Sequence, residues 1–258
     1  TGSYALAVDD RYAVSTTPVT LGAPTAPETL VVAPGSDGNY SSIRAAVENA
    51  SAGATVEVRP GTYHDPVVLE KNVTLIAPAG ATLANDSSAS RYGIQSRGDA
   101  EPTVAGLTLT GWEWGLSAGA SEGDWTLRNA VVEDGELGIG GAGTPGAWTV
   151  TDVTVRNVSY AVSTFESRGS WTIRNATIRG GSTGLFASES TGDWTLRGST
   201  ITGTETAISA SNTSGAWVAR ENRIADNAQG VEAPGAAPAG NVSHNWWGEP
   251  SGPAGDFA

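Results

Sequence analysis

Cysteine and methionine are both absent from the 258 residues, and Lys71 is the only lysine. Without cysteine no disulfide can staple the fold and no thiolate can hold a metal, so stability must come from packing. No apolar run approaches the roughly 20 residues of a membrane-spanning helix, and no signal peptide opens the chain. A start at Thr1 without methionine is expected of a mature, processed chain or an excised fragment. Basic charge is scarce: 14 Lys and Arg face 27 Asp and Glu, for a net charge of −13. Nucleic acid and anionic membrane are therefore poor partners. Histidine occurs only at His64 and His244, near opposite ends of the chain. Neither a metal cluster nor a Ser-His-Asp relay can be assembled from them, and no metal or cofactor is expected.

What the chain has instead is a repeat. Trp125, Trp148, Trp171, Trp194 and Trp217 lie 23 residues apart, with no insertion between them. Two residues after each stands Leu127, Val150, Ile173, Leu196 and Ala219, and seven after stands Val132, Val155, Ile178, Ile201 and Ile224. Fourteen after stands Ile139, Val162, Leu185, Ile208 and Val231. Three apolar columns per period, each in a β-favouring stretch between Gly, Ser, Asn and Asp turns, describe a coil of three strands. No 3.6-residue period runs through these segments. Stacked coils set equivalent residues roughly 4.8 Å apart, so each column becomes an inward ladder. The predicted fold is all-β: a single parallel β-helix with three strands per 23-residue coil. Strand alternation places each Trp on the side of the aliphatic residue two positions on, as a structural ladder. A bend just after Trp would instead expose an aromatic stripe able to stack on sugars.

Residues 1–38 stand outside the repeat as an extended N-terminal arm, with strand-like stretches YALAV, YAVSTTPVTL and TLVVA between Pro-rich joints. Residues 41–51 read as an amphipathic capping helix with Ile43, Ala46, Val47 and Ala50 on one face, Ser41 or Ser42 as N-cap and Gly53 beyond its end. Strands follow near 55–58, 66–69, 73–77, 81–83, 93–96 and 104–109, and the regular coils run from about 102 to 235. The segment NYSSIRAAVENASAGATVEVRPGTYHDPVVLEKNVTLIAPAGATL, residues 39–83, resembles the entry of pectate lyase-like right-handed parallel β-helices. That resemblance implies a capping helix, a first strand and a PGTY turn in which His64 is structural. NVSHNWWGEPSGPAG, residues 241–255, is similar to a closing segment of haloarchaeal secreted and cell-surface β-helix proteins. The acidic, nearly lysine-free composition resembles proteins of salt-loving archaea as well, since the Debye length falls to about 3 Å at 1 M salt. An ordinary acidic secreted protein from a GC-rich genome is the alternative.

Enzymes of the resembled superfamily use outward carboxylates on adjacent coils, with an arginine in lyases. The column eighteen residues past Trp offers Glu166 and Glu189 on neighbouring coils, with Arg168 close to the first. Such a pair suits a glycosidase or lyase, yet it lies in Ser/Gly turns, where charge is usually solvated. Asp124 and Asp193 share a column three coils apart, and Asp152 between Asn129 and Asn175 reads as a turn-stabilising polar ladder rather than a calcium site. Arg128, Arg174, Arg197 and Arg220 either pair with nearby acids or bind an anionic glycan. Thr126, Thr149, Thr172 and Thr195 form a ladder that β-propensity explains. Eight Asn-x-Ser/Thr sequons, at Asn39, Asn49, Asn72, Asn85, Asn157, Asn175, Asn212 and Asn241, are glycosylation candidates. The leading expectation is an extracellular, glycosylated, non-catalytic structural or adhesive protein of a halophilic archaeon's cell surface, self-associating into a filament or array through its arm. The alternatives are a polysaccharide lyase or glycosidase for acidic polysaccharide, and a carbohydrate-binding or viral receptor-binding spike.

Overall fold

Alternation of inward aliphatic and outward polar residues, interrupted at fixed intervals by residues that accept a left-handed backbone, makes this chain turn three corners per coil. The computed structural model describes residues 27–35, 37–86, 90–237 and 240–248. Within them, parallel strands pair into one continuous right-handed β-helix of about nine turns. The Trp-led strands Trp125–Arg128, Trp148–Thr151, Trp171–Arg174, Trp194–Arg197 and Trp217–Arg220 stack in exact 23-residue register on the first face. Strands such as Thr177–Arg179 and Thr200–Thr202 make the second face, and Thr183–Phe186 and Thr206–Ser209 the third.

All three aliphatic columns point inward; Leu127, Val150, Ile173, Leu196 and Ala219 are each 0% exposed. Burying one Leu or Ile is worth about 1.5–3 kcal/mol, and every coil repeats the gain three times. The five repeat tryptophans are buried too, at 1–5% exposure. Trp148 and Trp171 stack with ring centroids 4.1 Å apart and Trp194 and Trp217 with centroids 4.9 Å apart, while Trp125 tilts 60° against Trp148. A hydroxyl stands four residues before each indole, at Ser121, Thr144, Ser167, Ser190 and Thr213, all buried. Only Ser167 accepts an indole N–H, that of Trp171 at 2.8 Å. Thr144 and Thr213 instead donate to the Gly141 and Ala187 carbonyls, and the other four indole nitrogens lack a partner among the described residues.

Glycine precedes each Trp by two residues for a steric reason. A Cβ at Gly146, Gly169, Gly192 or Gly215 would fall on the carbonyl oxygen of the equivalent glycine one coil below. The corners have their own requirement. Asn129, Asp152, Asn175 and Glu221 share one corner column with Gly198, and all five have φ between 52° and 61°. Short polar residues tolerate that region best after glycine. Asn175 Nδ2 also donates to Asp152 Oδ1 at 3.0 Å, one coil away.

At the N-terminal end the helix Ile43–Asn49 packs against the first rungs, with Ser42 as its N-cap accepting from the Ala45 amide. Lys71 bonds the Glu48 and Ala50 carbonyls at 2.8 and 2.9 Å, so the single lysine closes the helix C-terminus. The TLVVA stretch assigned to the arm is itself a rung: Thr29–Val32 pairs in parallel with Thr55–Val58. The β-helix thus begins ten residues before the boundary drawn at residue 38, and the other strand-like stretches of the arm lie outside the described residues. Two strands expected at 73–77 and 81–83 are one bent strand, Thr74–Ala84, with a register break between Ile76 and Ala81. At the C-terminal end Asn241 and Trp246 bridge to Val218 and Arg223. Asn245 accepts from Asn222 one coil below and donates to the Ala219 carbonyl, so an asparagine ladder ties the Asn-Trp-Trp-Gly segment to the stack.

Candidate functional site

Outward positions on the third face carry the feature that departs most from a polar repeat. Register places Tyr92, Trp114, Leu137 and Tyr160 in one outward column on four successive coils. The next column holds Gly140, Ser163 and Phe186. Tyr92 and Trp114 meet edge to face at 5.4 Å, Tyr160 lies 5.6 Å from Phe186, and Phe165 and Phe186 are nearly parallel at 5.5 Å. The small residues Gly119, Gly140, Ala142 and Ser163 leave room beside Trp114, Tyr160, Phe165 and Phe186, and the result is an open groove of about 240 Å³. Tyr160 is the most accessible ring, 37% exposed. A three-residue motif occurring four times builds the column: Tyr92-Gly93-Ile94, Trp114-Gly115-Leu116, Leu137-Gly138-Ile139 and Tyr160-Ala161-Val162. The middle residue is small because a Cβ at Gly115 would strike Val132 and the Gly138 carbonyl.

One rim of the groove is charged. Arg91 is ion-paired with Glu113, and its guanidinium lies 5.6 Å from the Trp114 ring centroid. The hydrogen bond from Arg91 holds the Glu113 carboxyl below the usual carboxylate range. Glu136, one coil on, is exposed and lines the groove itself.

The carboxylate pair proposed from the sequence sits elsewhere in the coil's logic. Glu166 and Glu189 are exposed and occupy a corner position with φ of 53° and 59°, which Gly143, Asn212 and Gly235 fill in the other coils. Arg168 reaches the Gly143 carbonyl at 3.4 Å and forms no ion pair among the described residues. Asp124 and Asp193 each accept the amide of the coil above, from Ala147 and Ala216 at 2.7 and 2.8 Å. Of the arginine column, Arg197 bonds Glu221 at 2.7 Å. Arg128 and Arg174 are exposed and make no ion pair among the described residues, so the pairing expected for the column holds at one position. The threonine ladder is longer than the repeat suggested, since Thr29, Thr55, Thr74 and Thr103 continue it in register. The buried tryptophans offer no ring to a ligand. His64 lies 3.3 Å from Asp86, and His244 contacts Ser243 beyond the last full coil. Seven of the eight sequon asparagines are exposed and Asn85 is partly buried. Asn49, Asn157 and Asn175 use their amide nitrogens in hydrogen bonds.

Comparison with known proteins comes to the same fold. A family model described as "Periplasmic copper-binding protein (NosD)" matches residues 76–245. No curated protein sequence matches the chain. Among solved structures, the pectate lyase Pel9A superposes with a TM-score of 0.54 at 14% identity, covering 86% of this chain and 78% of that one. A pectin methylesterase from Aspergillus niger aligns with a TM-score of 0.49 at 15% identity over 88% of this chain and 87% of its own. An alginate lyase from Paenibacillus sp. aligns with a TM-score of 0.47 at 10% identity over 86% and 98%. At 14% identity the likeness to Pel9A is one of fold.

Proposed function

The chain belongs to the family of the periplasmic copper-binding protein NosD, and from that premise we propose that it is an exported, non-catalytic β-helix module that serves a structural or adhesive role outside the cytoplasm. The family's name supports the location. No helix among the described residues is long and apolar enough to cross a membrane. The observation that carries the non-catalytic reading is the left-handed corner. Glu166 and Glu189 stand where three other coils place Gly143, Asn212 and Gly235, so turn geometry accounts for the pair. Between Trp125 and Trp217 the coils keep one length, which leaves no inserted loops to wall a catalytic cleft.

The copper in the family's name finds no donor set here. Copper(I) favours thiolate and thioether ligands and copper(II) favours imidazole, and this chain has no Cys, no Met and two His near opposite ends. Among the described residues no three His, Cys, Asp or Glu converge.

The acidic, lysine-poor surface supports a halophilic archaeal origin, and the exposed sequons support glycosylation at the cell surface. Self-association fits the ends of the stack, because no described strand lies on the outer edge of Gln229–Glu232 and an open parallel edge can accept a neighbour's strand. The test is a panel of pectate, alginate and neutral polysaccharides incubated with the full chain in molar salt. No shortened or unsaturated product is expected. Product formed by the wild type and lost in a Glu166→Gln/Glu189→Gln double variant would establish the lyase or glycosidase reading instead.

A further inference from the structure

We propose that the third-face groove is a binding site for an uncharged glycan chain lying along the β-helix axis; this rests on the adhesive reading above and names its ligand. The geometry is that of a stacking platform. Trp114 and Tyr160 line the groove two coils apart with Leu137 between them, and Tyr92 extends the column one coil beyond Trp114; coils repeat at roughly 4.8 Å, so apolar positions follow one another along the axis. Pyranose rings present an apolar C–H face suited to aromatic side chains, and saccharide sites pair such surfaces with a few fixed polar groups. Phe165 and Phe186, inclined by only 8°, make one continuous apolar wall beside Tyr160. Beyond Tyr160 the column turns to Thr183 and Thr206, so the platform ends within the stack.

Charge selects among glycans. Glu136 lines the groove and Glu113 stands beside it, while Arg91, the cation on this rim, is already engaged by Glu113. Carboxylates accept hydrogen bonds from sugar hydroxyls and repel sugar carboxylates. At contact range, where molar salt screens least, these carboxylates disfavour a polyuronate. A second copy of this chain would bring the same carboxylates against themselves, which argues against the groove as a self-contact.

The experiment is calorimetric and fluorescence titration of the full chain, in molar salt, with laminari-, cello- and malto-oligosaccharides and separately with oligogalacturonate. Saturable binding of at least one neutral series is expected, weakened about tenfold by Tyr160→Ala and unchanged by the Glu166→Gln/Glu189→Gln double variant. Phe186→Leu keeps the apolar contact but removes a ring, and should weaken binding without loss of fold. Binding of no neutral series, indifference to both ring variants, or a preference for oligogalacturonate overturns the proposal. So does a Tyr160→Ala variant that changes only self-association in sedimentation. Cleavage of a bound glycan would contradict the non-catalytic reading and leave the site standing, so the two failures are distinguishable.

Discussion

Backbone handedness decides what each corner residue is for. Glu166 and Glu189 hold φ near +55° in a column shared with two glycines and an asparagine, so Glu189→Gly is expected to leave stability unchanged or raise it. Glu189→Val, β-branched at the same φ, should cost about 1–2 kcal/mol. Urea denaturation of the two variants checks this, and equal destabilisation by both would count against a turn role. Gly169 is held by space rather than by φ, because its Cβ would meet the Gly146 carbonyl. Gly169→Ala should therefore cost about 3 kcal/mol, read in the same denaturation. Glu113 and Glu221 are held below the ordinary carboxylate range chiefly by hydrogen bonds from Arg91 and Arg197. Each therefore binds a proton less readily folded than unfolded. Their contribution to stability is present above the unfolded carboxyl pKa and is lost as pH falls through the folded one. Carboxyl NMR titration should find both below a free glutamate, and Arg197→Ala should move Glu221 towards it.

At the scale of the strand, the ladder is the unit, since one inward side chain touches the coil above and the coil below. Ile173 is fully buried between Val150 and Leu196 in register. Ile173→Ala should cost about 2–5 kcal/mol, and Ile173→Asp should abolish protection of both neighbouring coils in hydrogen exchange. Loss confined to one coil would contradict the stacking. These inward columns were readable from the sequence because spacing and side-chain type repeat together at Trp125 to Trp217. The earlier coils were read less well: Thr55, Thr74 and Thr103 are register mates yet unevenly spaced, so no fixed period could align them. The short strand Thr62–Tyr63 went unread for the same reason, and Thr29–Val32 looked like arm because the helix separates it from its partner strand. The groove was hidden more deeply. Its column passes from Tyr and Trp to Leu and Thr with no common chemistry, and only register shows that these residues share a face. The repeating Gly or Ala before each inward aliphatic residue was the available signal.

For the molecule as a whole, shape and charge lead in one direction. About nine stacked turns make a scaffold whose coils keep one length from Trp125 to Trp217, and on its third face a patch of outward rings interrupts the polar surface. The excess of 27 acidic over 14 basic residues repels itself at low salt. The melting temperature should rise as salt approaches 1 M, where screening acts within about 3 Å; a salt-independent value would remove the support for a halophilic setting. Binding without turnover is read most directly by affinity electrophoresis through immobilised neutral glycan, followed by sizing of the glycan recovered from the retarded band. The protein should be retarded and the glycan unchanged in length; free migration of the protein or a shortened glycan would rule out a non-catalytic glycan-binding module.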